Sequence, residues 1–296
     1  MDAYLFHLVV EACILSMLAA SLNFMAGYGR LVSLGQMTFY AIGAYSIAIL
    51  VPATQLGYFL AVPAGILFAV LVAVIAAIGT ARLKNDEFAI ATFALQIAFW
   101  TLLMNWQSLT DGPLGIGNIP PISIGAIALD TPISFLPVAI ALLIVVLMLV
   151  FRTTRRPFGF LLHMFRDDED LAQNFGRDTR KVRISLWTLS ALIAAAAGMC
   201  QASYVGYINP ASFSTLESTI LLAVVILGGA GTFWGPVFGG FAMTLLPEAF
   251  RYIGLPSAQA ANIRQMLLGA VLIFAAFRML PKATGGSRLA LGTRNG

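Results

Sequence analysis

Apolar residues run along this chain in long blocks, and polar residues interrupt them only in short groups. A helix that spans a membrane needs about 20 mostly apolar residues. Nine stretches meet or approach that length, near 4–26, 31–51, 58–80, 87–106, 133–151, 184–207, 216–229, 233–252 and 264–280. The pattern predicts an all-α integral membrane protein with about nine transmembrane helices, folded as a single transmembrane domain over 1–296. The seventh stretch is short and runs into Gly228-Gly229-Ala230-Gly231. A glycine-rich, broken or half-length helix is therefore expected near 216–240.

Composition sharpens this picture. Hydrophobic residues make up 59% of the chain and charged residues 10%, against ~45–50% and ~25% in soluble domains. A soluble enzyme of this size would lack the charges to cover its surface, and a disordered chain would need far lower hydrophobicity. Met1-Asp2-Ala3 has no positive charge ahead of the first apolar run, which reads as a retained helix rather than a cleaved signal. Cys13 and Cys200 lie inside apolar segments without metal-ligand spacing and read as buried, inert thiols.

The 17 basic residues exceed the 13 acidic ones. They sit between the apolar runs, so membrane topology explains them better than nucleic acid does. The polar segment 152–183 carries Arg152, Arg155, Arg156, Arg166, Arg177, Arg180, Lys181 and Arg183, and is expected to be cytoplasmic. Counting helices from it puts Arg30, Arg82, Lys84 and the C-terminus inside, and the N-terminus on the periplasmic side. The loops 52–57, 107–132 and 208–215 on the other side contain no Lys or Arg, while Arg251 and Arg264 are exceptions there. Loop 107–132 holds Asp111-Gly112-Pro113 and Pro120-Pro121 and reads as a docking surface or a plain connector.

Within 152–183, Phe158, Leu161, Leu162 and Phe165 recur at helical spacing and form one apolar stripe. The acidic run Asp167-Asp168-Glu169-Asp170 follows. A short helix from Asp168 to Phe175 would stop at Gly176, and Asp178 and Thr179 would cap the next span. Such helices offer a handle to a soluble partner, or rest on lipid headgroups.

Polar residues inside the spans are the other candidates. Ser33, Gln36, Thr38 and Tyr40 lie in the second stretch, Gln96 in the fourth, and Thr232 and Trp234 in the glycine-rich region. Burying them costs energy unless they are hydrogen-bonded or wetted, so each either lines a passage or packs helices together. Glu11 sits mid-helix, as a carboxyl paired to another helix or touching a passage. Glu217 and Glu248 sit near outer helix ends, where hydration is cheap. Thr38-Phe39-Tyr40 and Thr232-Phe233-Trp234 look alike, as a duplicated, inverted architecture would have it. No phosphate-binding loop, catalytic constellation or metal-ligand spacing occurs.

The second stretch reads Gly27-Tyr28, Ser33-Leu34-Gly35, Phe39 and Gly43-Ala44-Tyr45. Further along come Asn105-Trp106, Thr110-Asp111-Gly112-Pro113-Leu114-Gly115-Ile116, Pro157-Phe158-Gly159, Arg166-Asp167-Asp168-Glu169, Leu227-Gly228-Gly229 and Trp234-Gly235-Pro236. In this order they resemble the permeases of branched-chain amino acid ABC importers, the M-type subunits above all. Gln36 stands where that family often has His and Arg30 where it often has Gln. The extra leading helix of many members is not expected here.

The resemblance implies a permease domain without an ATPase site of its own, binding no cofactor, in a bacterial inner membrane. It implies a homologous second permease chain, two cytoplasmic ABC ATPases that use ATP and Mg, a periplasmic substrate-binding protein, surrounding lipid and no nucleic acid. Segment 152–183 would couple to the ATPases through Phe158, Leu161, Leu162, Phe165, Asp167, Asp168, Glu169 and Gly176. Ser33, Gln36, Thr38, Tyr40, Gln96, Thr232 and Trp234 would lie along the translocation path. The substrate would be a branched-chain amino acid; urea, short amides, other amino acids and carboxylates are the alternatives within this class. A stand-alone secondary transporter or channel would need a coupling-ion site, and Glu11 is its main candidate. A membrane scaffold that moves no solute is the third class.

Overall fold

The computed structural model describes residues 2–54, 57–124, 127–167 and 178–252, with Met266 and Gly269. The helices are α1 (Asp2–Leu22), continued by a π-helical turn Asn23–Tyr28, α2 (Gln36–Ala53), α3 (Tyr58–Gly79), α4 (Asn85–Asn105) and a single turn α5 (Gln107–Thr110). Then come α6 (Pro132–Arg155), α7 (Pro157–Asp167), α8 (Thr179–Val205), α9 (Thr215–Gly228) and α10 (Gly235–Tyr252).

Eight of the nine expected stretches coincide with described helices. Among the described residues six helices are long and apolar enough to cross a membrane, and Thr215–Gly228 and Gly235–Leu246 are shorter apolar helices. The ninth stretch, 264–280, falls almost wholly outside the described residues. At a rise of about 1.5 Å per residue, α9 reaches only about 21 Å of a core about 30 Å thick. Gly229 and Gly231, with φ of +96° and +81°, end it, and the helix resumes at Gly235. The break expected in the glycine-rich stretch therefore falls at 229–234.

The second span starts later than its apolar run. Arg30 takes a left-handed φ of +56°, and residues 31–35 are irregular. Leu31 N donates to Met25 O (3.2 Å), and two further donors are met by side chains: Leu34 N donates to Thr92 Oγ1 (3.1 Å) and Gly35 N to Ser33 Oγ (3.2 Å). Irregular backbone survives inside a bundle on that condition.

α1, α2 and α8 form the interior, with 67%, 72% and 67% of their most apolar windows buried, against 22–28% for α3, α4 and α6. Two of the exposed spans, α3 and α6, are also the most hydrophobic, with mean hydropathies of 2.8 and 3.1, as lipid contact demands. On α3, Phe59, Leu67 and Ile75 point outward, while Ala61, Gly65, Ala69, Ala73 and Ala77 make a buried ridge at four-residue spacing. α2 and α8 pack closest of all. A Cβ at Gly43 would overlap the Ala195 backbone, and one at Gly198 would overlap the Tyr40 carbonyl. Cys13 and Cys200 are both buried and free.

Among the described residues, extended structure is confined to the loops. Ser123–Ile124 pairs with Ile127–Ala128 in a two-residue hairpin within 107–132, and Ile116 bridges to Ile208. Tyr58 Oη donates to Pro120 O (2.6 Å) and Tyr207 Oη to Leu114 O (2.8 Å). The long loop is thus strapped to its neighbours.

Candidate functional site

A cavity of about 470 Å³ opens among α1, α2, α8, α9, α10 and the segment joining α8 to α9. Along α1 it runs from Leu8 to Leu18, a depth of about 15 Å at helical rise. Glu11, Glu217 and Glu248 line it, with Tyr40, Gln201 and Ser212 as further polar groups. Ile14, Leu18 and Met37 supply an apolar wall and floor. Tyr4 Oη donates to Glu248 Oε2 at 2.8 Å. Phe213, on a 3-10 turn Pro210–Phe213 that follows α8, stacks edge-on against Tyr40. This end of the bundle is opposite to the one holding Arg152 and Arg155 at the end of α6 and Arg180 and Lys181 at the start of α8.

Next to the floor, in the direction of the basic end, lies a closed polar network. Gln36 Nε2 donates to Ser190 Oγ (2.8 Å) and to Met25 Sδ (3.3 Å), and Ser190 Oγ donates to Ser21 O (2.8 Å). Beside it, Thr38 Oγ1 donates to Gln96 Oε1 (2.9 Å), and Gln96 Nε2 to Phe213 O (2.6 Å). Gln36, Thr38, Gln96, Ser33, Ser190 and Ser21 are all fully buried. Gln36 Oε1 has no partner among the described residues. The bonds join α1, α2, α4 and α8 across the core.

At the basic end, α7 lies against α6, α8 and the π-turn. Leu162 and Phe165 are buried, Phe158 and Leu161 half-buried, and Phe160, outside the expected stripe, is 68% exposed. Arg183, only 3% exposed, donates from Nη1 to Thr80 O (2.9 Å) and Leu83 O (3.0 Å) in the α3–α4 turn. Its guanidinium carbon lies 5.8 Å from the Phe165 ring centre. Asp178 caps α8, accepting from Lys181 N at 3.2 Å. That hydrogen bond and the Lys181 ammonium, 3.2 Å from Asp178 Oδ2, hold the Asp178 carboxyl below its ordinary range.

The residues singled out from sequence therefore fall in different places. Tyr40 lines the cavity; Gln36, Thr38 and Gln96 form the closed network; Ser33 braces the irregular stretch before α2. Thr232 and Trp234 are exposed at the α9–α10 turn, where Thr232 Oγ1 donates to Gly229 O (2.7 Å). Of the handle, Phe158, Leu161, Leu162, Phe165 and the backbone of Asp167 belong to α7, while Asp168, Glu169, Gly176 and the short helix expected between them lie outside the described residues. Glu11 faces the cavity rather than another helix. Sequence reasoning gave no role to Glu217 and Glu248, whose only signal was a carboxylate near a helix end. It read Arg183 as a topology marker.

A family model described as the branched-chain amino acid transport system / permease component matches residues 4–276. The chain is 29% identical over 257 residues to the high-affinity branched-chain amino acid transport system permease protein LivM of Escherichia coli (strain K12), covering 79% of this chain and 60% of the relative. It is 30% identical over the same length to LivM of Salmonella typhimurium. It is 30% identical over 143 residues to the autoinducer 2 import system permease protein LsrC of Photorhabdus laumondii, covering 47% of this chain and 43% of that one. The chain thus spans about 60% of the length of the LivM relatives. No solved structure matches it.

Proposed function

Because the chain belongs to the permease-component family of branched-chain amino acid transport systems, we propose that it is the membrane-spanning subunit of an ATP-driven importer of branched-chain amino acids. The match over 4–276 carries this reading, and the cavity supplies a place for a solute. In this reading the acidic, cavity-bearing end faces the periplasm, where a binding protein delivers substrate. The basic end faces the cytoplasm, as the Arg and Lys distribution favours. A homologous permease chain supplies the other half of the path.

Two cytoplasmic ATPases use ATP and Mg and act on α7 and the segment after it. Their closure rocks the helices between two packings, whose balance the ATPases and the loaded binding protein bias differently. The closed network of Gln36, Ser190, Thr38 and Gln96 has to part for solute to pass from the cavity to the other side. No covalent chemistry falls to this chain.

The test is uptake of radiolabelled leucine, isoleucine and valine by cells with and without the gene, before and after ATP depletion. Loss of uptake with the gene and with ATP is expected. Unchanged uptake without the gene would overturn the reading. The likeness to LsrC supports one other cargo class, so autoinducer 2 belongs in the same competition assay.

A further inference from the structure

The cavity combines three features. Its wall of Ile14, Leu18 and Met37 is apolar, its charged lining is acidic, and among the described residues no Lys, Arg or His side chain faces it. Its volume of about 470 Å³ lies within the usual range for small-molecule sites, ~300–1,000 Å³. Glu11 stands in the middle of a spanning helix and makes no hydrogen bond or ion pair among the described residues. A carboxylate at that depth is costly unless a positive group meets it. Tyr40 is nine-tenths buried, lines the same cavity and makes no hydrogen bond among the described residues. It lies within electrostatic reach of both Glu11 and Glu217. An unpartnered buried hydroxyl beside an unpartnered carboxylate is an unfilled acceptor pair for an N–H donor.

We infer that this cavity is a substrate site that selects for a protonated primary amine, with Glu11 and Tyr40 receiving the ammonium group and the apolar wall receiving the hydrocarbon. Gln201 and Ser212 are neutral donors, able to hydrogen-bond a substrate carboxylate without neutralising it. The order of preference is therefore aliphatic amine, then amino acid, then aliphatic carboxylate. The inference rests on the reading of the chain as an amino acid permease and names the part of the substrate that its own side chains read.

The experiment is binding to the purified full chain in lipid nanodiscs, by titration calorimetry, of 3-methylbutylamine, leucine and 4-methylpentanoate. These share one branched chain and differ in charge. The amine and leucine are expected to bind at least about tenfold more tightly than the carboxylate, the scale of a charge-assisted hydrogen bond. Glu11→Gln is expected to weaken amine and leucine binding about tenfold without weakening the carboxylate. Equal binding of all three by the wild-type chain would overturn the inference, and that comparison needs no variant to fold. Amine and leucine affinities unchanged in Glu11→Gln, with an unchanged melting temperature, would overturn it too. Cellular leucine uptake separates the two claims. Normal uptake without amine preference removes the inference alone, and amine preference without leucine uptake removes the importer reading alone.

Discussion

The Asn23 side-chain amide grips the backbone at Gly231 and its neighbour: Oδ1 accepts from Gly231 N at 2.7 Å and Nδ2 donates to Thr232 O at 2.9 Å. Asn23 begins the π-helical turn that ends the first span, and Gly231 is one of two positive-φ glycines in the break between α9 and α10. Gly27 lies so close to Gly231 that a Cβ on it would overlap the Gly231 backbone, and Arg166 of α7 packs beside the same glycine. The first span, the helix break and α7 therefore meet at one point of the basic end.

Asn23→Leu keeps the branched outline of the side chain and removes both bonds, leaving a buried N–H and C=O without partners. A loss of about 1–3 kcal/mol is expected, read as a lower melting temperature in detergent. A change within error would mean that the break is held by something other than Asn23.

Arg183 ties α8 to two carbonyls of the α3–α4 turn and lies over Phe165 of α7. Movement of α7 thus reaches two spans through one side chain. Arg183→Met keeps the stem and loses the donors, and a cost of about 1–3 kcal/mol is expected from the carbonyls left bare. Arg183→Lys retains charge without the planar fork and should restore only part of the loss. Uptake measured beside melting should fall more in Arg183→Met than in Arg183→Lys; equal values for both and the wild type would dismiss the link.

The membrane class, most span positions and the break after Gly228 were legible because length and hydropathy settle them locally. The start of α2 was not. Leu31 to Gly35 looks like helix to any count of apolar residues, and one of the hydroxyls that let it unwind comes from Thr92, on a span 58 residues later than Leu34. Glu11 illustrates the same limit. Its depth could be read from its place in the run, but whether it met a helix or a space depended on how α9 and α10 turn back beside α1. Gln36 and Tyr40 share a stretch and a polarity. They lie on one face of α2, and one turn of rise, about 6 Å, puts the first in the buried network and the second at the cavity wall.

Glycines offer a controlled comparison. At Gly43 a Cβ would drive into the Ala195 backbone, whereas at Gly79 it would meet nothing within 4 Å. Gly43→Ala is expected to destabilise by about 1–3 kcal/mol through overpacking. Gly79→Ala, at a helix end, should be neutral or stabilise by up to about 1 kcal/mol. Chemical unfolding in matched micelles would show it, and a Gly43→Ala variant as stable as the wild type would mean that α2 and α8 can part freely.

Asp178 gives a sign for pH. Its folded pKa is lowered by the Lys181 N–H and ammonium, so its contribution is present above the unfolded value near 4 and is lost as pH falls through the lowered folded value. Wild-type melting should therefore drop, as pH falls below the unfolded value, by more than that of Asp178→Asn, whose cap does not titrate. Parallel curves would show that the cap is inert.

Gln36 separates stability from transport. Its Nε2 joins α2 to Ser190 on α8, yet its Oε1 is buried without a partner among the described residues. Gln36→Leu removes the bonds to Ser190 Oγ and Met25 Sδ and an unsatisfied oxygen together, and Ser190 keeps its bond to Ser21 O. The two effects offset, so the folding cost should stay within about 1 kcal/mol and expression should be intact. Transport is different, because a polar network below the cavity can break and reform between alternative partners, while a leucine packs in one arrangement. The maximal uptake rate is expected to fall while the concentration for half-maximal uptake changes little, since the cavity itself is untouched. Wild-type kinetics in Gln36→Leu would assign the network to packing and move the barrier to another layer of the bundle.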